Sequence, residues 1–155
     1  MPLYRPPAEA ENLIIQVTLG CSFNQCSFCA MYRSKQYTER PLQAVFSNIH
    51  QAAALRPDAH RVFLADGDAL ALPTAHLLAI LHELARVLPR LARVACYATP
   101  ANIQRKSADE LALLQQNKLN LLYVGVESGS DVMLKKTTNG ATTVDPSVKT
   151  EISLV

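Results

Sequence analysis

At 155 residues, 49% hydrophobic and 18% charged, the chain is long enough to bury one ordinary core and too apolar to be disordered. Its net charge of +2 is carried by dispersed basic residues, so no nucleic-acid footprint is evident. The longest apolar stretches, such as LLAILHELARVL, are interrupted by His and Glu and are too short to cross a membrane. The N-terminus, MPLYRPPAEAENL, lacks the charged-then-apolar layout of a secretory signal, so a cytoplasmic location is expected.

In chain order, the first strand is expected at 12–18 (NLIIQVT), a β-branched apolar run ending at Gly20. A helix follows Pro41, because Val45, Ile49 and Ala53 recur on one face. The second strand is RVFLAD (61–66), ending at Gly67. The next helix spans Thr74 to Leu88, with Leu77, Leu81, Leu84 and Leu88 on one face and Pro89 as its stop. RVACYA (93–98) is the third strand. Ser107 and Glu110 form a capping box that opens a helix through Leu111 and Leu114. LLYVGV (121–126) is the fourth strand, and the segment 142–155 is expected to be irregular.

This β-α alternation implies a parallel α/β architecture with right-handed crossovers. Four strands cannot close a barrel, so the sheet is expected to end at an edge that needs cover. Function in such folds collects at the carboxyl ends of the strands. Here those ends read TLGCSFNQC, ADGDAL, CYATP and GVESGS.

The first of them holds three of the chain's four cysteines, Cys21, Cys26 and Cys29, at a C-x4-C-x2-C spacing. In a reducing compartment such a group is more often a metal or redox site than a disulfide. Three thiolates on a four-iron cluster leave one iron open to a substrate or cofactor. A structural zinc site would need a fourth ligand, and the loop has no His. Cys96 lies mid-strand and reads as a small buried hydrophobe. His50, His60, His76 and His82 are scattered and read as solvated or capping residues.

The cysteine loop resembles that of the radical S-adenosylmethionine (radical SAM) enzymes, whose commonest spacing is C-x3-C-x2-C with an aromatic residue before the last cysteine. Phe28 stands at that aromatic position. The longer spacing is similar to a variant branch labelled coproporphyrinogen-oxidase-like or uncharacterised. LADGDAL (64–70) resembles the family's glycine-rich turn after the second strand, usually Gly-Gly-Glu. GVESGS (125–130) resembles the polar end of the fourth strand.

The resemblance implies a partial parallel (β/α) barrel of the radical SAM type, with the first four units within 1–141. It implies a [4Fe-4S] cluster on Cys21, Cys26 and Cys29. Cofactor contacts are implied from Phe28 to the adenine, from the turn Asp66, Gly67 and Asp68 to the methionyl amino group, and from Glu127 and Ser128. Tyr97, closing the third strand, would line the cavity. Ser22, Asn24 and Ser27 would donate hydrogen bonds to the sulfurs.

The implied activity is an oxidoreductase's reductive cleavage of S-adenosylmethionine. It yields a 5′-deoxyadenosyl radical that removes hydrogen from an unspecified small or macromolecular substrate, with flavodoxin or ferredoxin as electron donor. A complete core carries more units than this, so the chain is expected to be a fragment that assembles the cluster but catalyses poorly or not at all.

Plainer readings stand beside these. The three cysteines would also suit a zinc-binding or electron-transfer module without this chemistry, or a non-catalytic remnant kept as a partner subunit. Asp66 and Asp68 would also suit a helix cap or Asx-turn. Glu127 would suit a surface position, and Arg33 and Lys35, which could meet the cofactor carboxylate or a substrate anion, would more simply suit solvated positions after the loop.

Overall fold

The computed structural model describes residues 3, 5–22 and 35–124, together with a strand at 151–153. The main sheet takes β1 (Leu13–Gln16), β4 (Arg61–Ala65), β5 (Arg93–Ala98), β6 (Leu119–Val124) and β7 (Glu151–Ser153), in that spatial order. The pairs β1–β4, β4–β5 and β5–β6 are parallel, with Ile15 opposite Leu64 and Leu64 opposite Cys96. The architecture is the partial parallel β/α barrel expected from the alternation.

Each strand places alternate residues on opposite faces. On β4, Val62 and Leu64 join the cluster under the helices, while Phe63 and Ala65 face the other way. α1 (Leu42–Leu55) buries Val45, Ile49 and Ala53. α2 (Thr74–Val87) buries Leu77, Ile80, Leu81 and Leu84. α4 (Ala108–Gln116) buries Leu114 behind the Ser107–Glu110 capping box. All three helices pack over the same face of the sheet, α1 and α4 each against α2. That one-sided winding belongs to a barrel rather than to an open doubly wound sheet.

Four local features differ from expectation. The first strand is split: Val17 separates β1 from β2 (Thr18–Leu19), which pairs antiparallel with β3 (Thr38–Glu39) in a small second sheet. The carbonyl of Val17 accepts from the Arg40 amide at 3.1 Å, which turns the chain out of the main sheet. A short helix, α3 (Pro100–Arg105), follows β5 directly. The fourth strand starts earlier, at Leu119, because Lys118 adopts φ 78° and ends α4 without a glycine. Within the segment expected to be irregular, β7 pairs antiparallel with β6 through Leu122 and Ile152 and covers that edge.

The inner face of the sheet is aromatic. Phe63, Tyr97 and Tyr123 meet edge-to-face, with centroids 5.2 to 6.3 Å apart. The 3-10 turn Pro7–Glu9 lies against it. Glu9 is fully buried and accepts from the Tyr123 hydroxyl at 2.7 Å, from Arg93 at 2.7 Å and from Asn12. Three donors offset the cost of taking that carboxylate out of water. No helix among the described residues is long and apolar enough to cross a membrane.

Cys96 is wholly buried among the residues under the helices, and burial pushes its thiol well above the usual value. The thiolate is the reactive form. In a chain carrying Cys21→Ala, Cys26→Ala and Cys29→Ala, Cys96 should resist a maleimide or disulfide reagent at pH 8 and label only upon denaturation. Mass spectrometry of the labelled chain checks this, and stoichiometric labelling of the folded chain would contradict it.

Candidate functional site

The carboxyl ends of β1, β4 and β5 carry a group of buried polar side chains. It begins where β2 ends. Gly20 takes φ 70°, a left-handed conformation that L side chains disfavour. A Cβ there would lie 3.1 Å from the Lys35 carbonyl oxygen and 3.2 Å from that of Gln36. The two ends of the cysteine-bearing loop therefore pass in close contact at its base, just beside the β2–β3 ladder. Cys21 follows Gly20 and is partly exposed.

The turn after β4 lies opposite. Asp66 and Asp68 are both fully buried, and Gly67 between them is partly buried. The Ala65–Asp66 peptide is cis. The Asp66 amide donates to Thr18 Oγ1 at 3.3 Å, and Asp66 Oδ2 accepts from Lys35 Nζ at 2.8 Å. Asp68 Oδ2 accepts from the Ser22 hydroxyl, from Asn102 Nδ2 and, at 3.5 Å, from Thr99 Oγ1. Burial raises the Asp68 carboxyl above its ordinary value, and hydrogen bonds from Ser22, Asn102 and Thr99 pull it back. Its side chain makes no capping hydrogen bond to the following 3-10 turn Ala69–Ala71.

Asn102 reaches Asp68 because α3 starts at the very end of β5. Thr99 caps that helix by accepting from the Asn102 amide at 3.2 Å, and Pro100 fills its first position. Asn102 Nδ2 also donates to Ser22 Oγ at 3.0 Å, so three side chains share one node.

Several buried polar atoms at these strand ends have no hydrogen-bond partner among the described residues: Asp66 Oδ1, Asp68 Oδ1 and the Tyr37 hydroxyl. Burial, with Glu39, Asp68 and Cys21 nearby, pushes the Tyr37 hydroxyl up to about 12. It therefore stays protonated, and a donor, at neutral pH. Buried polar atoms cost about 1–3 kcal/mol each when left unpaired, so these two acceptors and one donor call for partners beyond the described residues.

Of the residues singled out by sequence, Cys21, Asp66, Gly67, Asp68 and Tyr97 are placed at the carboxyl ends of the strands. Tyr97 sits in the aromatic face beside Phe63. Cys26, Phe28, Cys29, Glu127 and Ser128 lie outside the described residues, as do Asn24, Ser27 and Arg33. Two expectations are corrected. Lys35 is not a solvated side chain but is 7% exposed, because its ammonium pairs with the buried carboxylate of Asp66. The Ser22 hydroxyl donates to Asp68, the nearest buried carboxylate, instead of to a sulfur.

Sequence reading missed Thr18, Tyr37, Thr99 and Asn102. The Thr99-Pro100 pair was a helix-start signal that would have found Asn102 on the first turn beyond β5.

The family model described as the Radical SAM superfamily matches residues 15–150. The chain belongs to that superfamily. Its cysteine loop, the turn after β4 and the end of β5 all fall inside the matched span. No curated protein matches the chain.

Gly20→Ala should destabilise the chain by about 1–2 kcal/mol through left-handed strain, plus whatever displacing the Lys35 carbonyl costs. A thermal melt checks this. Gln36→Ala, an exposed position at the same base, should leave the midpoint unchanged.

Proposed function

We propose that this chain is a radical SAM [4Fe-4S] protein, in which Cys21, Cys26 and Cys29 hold the cluster and the turn Asp66–Gly67–Asp68 receives the amino group of S-adenosylmethionine. One observation carries the reading: two buried carboxylates share the turn that Ser22, the neighbour of Cys21, donates to, each with one oxygen that has no partner among the described residues. An ammonium is the group that two such acceptors suit. The residues present fit the cofactor on that ground, and Tyr37 adds a neutral donor suited to an anionic partner such as its carboxylate.

When bound, the reduced cluster supplies the electron that splits S-adenosylmethionine into methionine and a 5′-deoxyadenosyl radical. The chain's own residues do the rest. Asp66 and Asp68 orient the methionyl end through Oδ1. Gly67 lets the backbone approach closely. Phe28 would pack on the adenine, and Glu127 and Ser128 would meet the ribose or amino group. The aromatic face of Phe63, Tyr97 and Tyr123 keeps the inner side of the sheet dry. A small carrier such as flavodoxin or ferredoxin delivers the electron.

Anaerobic reconstitution tests this. The expected result is about four iron and about four sulfide per chain, with a reduced-state electron paramagnetic resonance spectrum that changes when S-adenosylmethionine is added. Cys21→Ala, Cys26→Ala and Cys29→Ala should each abolish most of the bound iron. Asp68→Ala should lose the spectral response in whatever cluster it still holds. Stoichiometric zinc with no iron would replace this reading with the structural module. A full cluster whose spectrum ignores S-adenosylmethionine would replace it with an electron-transfer module.

A further inference from the structure

We infer that Lys35–Asp66 and Ser22–Asp68 form a two-ended clasp that holds the cysteine-bearing loop on the turn after β4, and that Lys35 and Asp66 are positioning residues for cluster retention. This rests on the proposed cluster site.

Gly20 and Lys35, on either side of the loop, meet at its base. From its outgoing end, Ser22 reaches Asp68 Oδ2; from its returning end, Lys35 Nζ reaches Asp66 Oδ2 at 2.8 Å. The two carboxylates are separated in sequence only by Gly67, so both ends are tied to one turn. The turn is fixed in its own right, through the Asp66 amide on Thr18 and through Asn102 and Thr99 on Asp68.

Lysine normally keeps its ammonium in water. Here the Lys35 side chain is 5% exposed and that of Asp66 is 0% exposed. A charge this deeply buried stays only with its partner, so the contact is hard to open. Closing the loop at both ends removes much of the freedom its three thiols would otherwise lose on meeting one cluster. The division of labour is by oxygen atom. Oδ2 of each aspartate meets one end of the loop, that of Asp68 together with Asn102 and Thr99, and Oδ1 of each has no partner among the described residues.

The test compares Lys35→Met, Asp66→Asn, the double variant and Lys35→Arg in the reconstituted full-length chain. The first readout is the rate at which an iron chelator strips the cluster. Each single variant should lose iron about tenfold faster, as outer-shell partners of metal ligands usually do. The double variant, with no charge left unpaired, should lose it no faster than the singles, and Lys35→Arg should stay near the unaltered chain. The second readout is amide hydrogen exchange of peptides spanning 20–36 in the cluster-free chain, which should quicken in Lys35→Met and recover in Lys35→Arg. Glu9→Gln, which disturbs a buried carboxylate on the inner face of the sheet, should lower the melting midpoint without changing either readout.

Unchanged iron loss and exchange in the singles, or losses that simply add in the double, would overturn the clasp while leaving the cluster reading intact. Should the unaltered chain bind no iron, the cluster reading fails, and the exchange result alone decides for or against the clasp.

Discussion

Two carboxylates buried at the end of an apolar strand constrain everything around them. Asp66 and Asp68 follow Val62, Phe63, Leu64 and Ala65, all of them fully buried. Both are fully buried, so polar groups of the protein must offset what burial costs them. That demand turns Lys35 inward, fixes Ser22 beside Cys21 and draws Asn102 from the first turn of α3. Removing one partner of such a pair typically costs about 3–5 kcal/mol, because the other is left charged and dry. The strand-end turn therefore ties together the start of α3 and both ends of the cysteine loop, all distant from it in sequence.

Much of the fold was legible because it is written in local periodicity. The residues of β4 and β5 are a run of buried positions whose alternate members face opposite sides of the sheet. The buried faces of α1 and α2 are the leucines, isoleucines and small residues that recur every three or four positions. The capping box at Ser107 needs only four neighbouring residues. The split between β1 and β2 was not legible. Val17 is as β-prone as its neighbours, and only a hydrogen bond to Arg40 says that the sheet ends there. The early start of β6 depends on Lys118 in a conformation that a sequence reader expects of glycine. β7 depends wholly on the edge it finds.

The site divides the same way. Cysteine spacing and a Gly-flanked pair of aspartates are local patterns, and both were visible. Their partners are not local. Lys35 is 31 positions from Asp66, Asn102 is 34 from Asp68, and Ser22 is 46 from Asp68. A lysine after a loop looks solvated in one dimension, and becomes a counter-ion only when the fold brings a buried acid to it. Tyr37 had no pattern of its own, and its hydroxyl stands out because it is buried without an acceptor among the described residues.

Glu9 carries a consequence for the order of events during synthesis. Its hydroxyl donor, Tyr123, lies 114 positions further along the chain, and Arg93 lies 84 positions further. The segment around Glu9 thus waits for β5 and β6 to be made before its carboxylate can be satisfied. Contacts of such long range close slowly. Until they do, the face of the sheet that the Glu9 turn lies against lacks that cover, and a nascent chain in that interval offers chaperones a greasy, half-finished surface to grip.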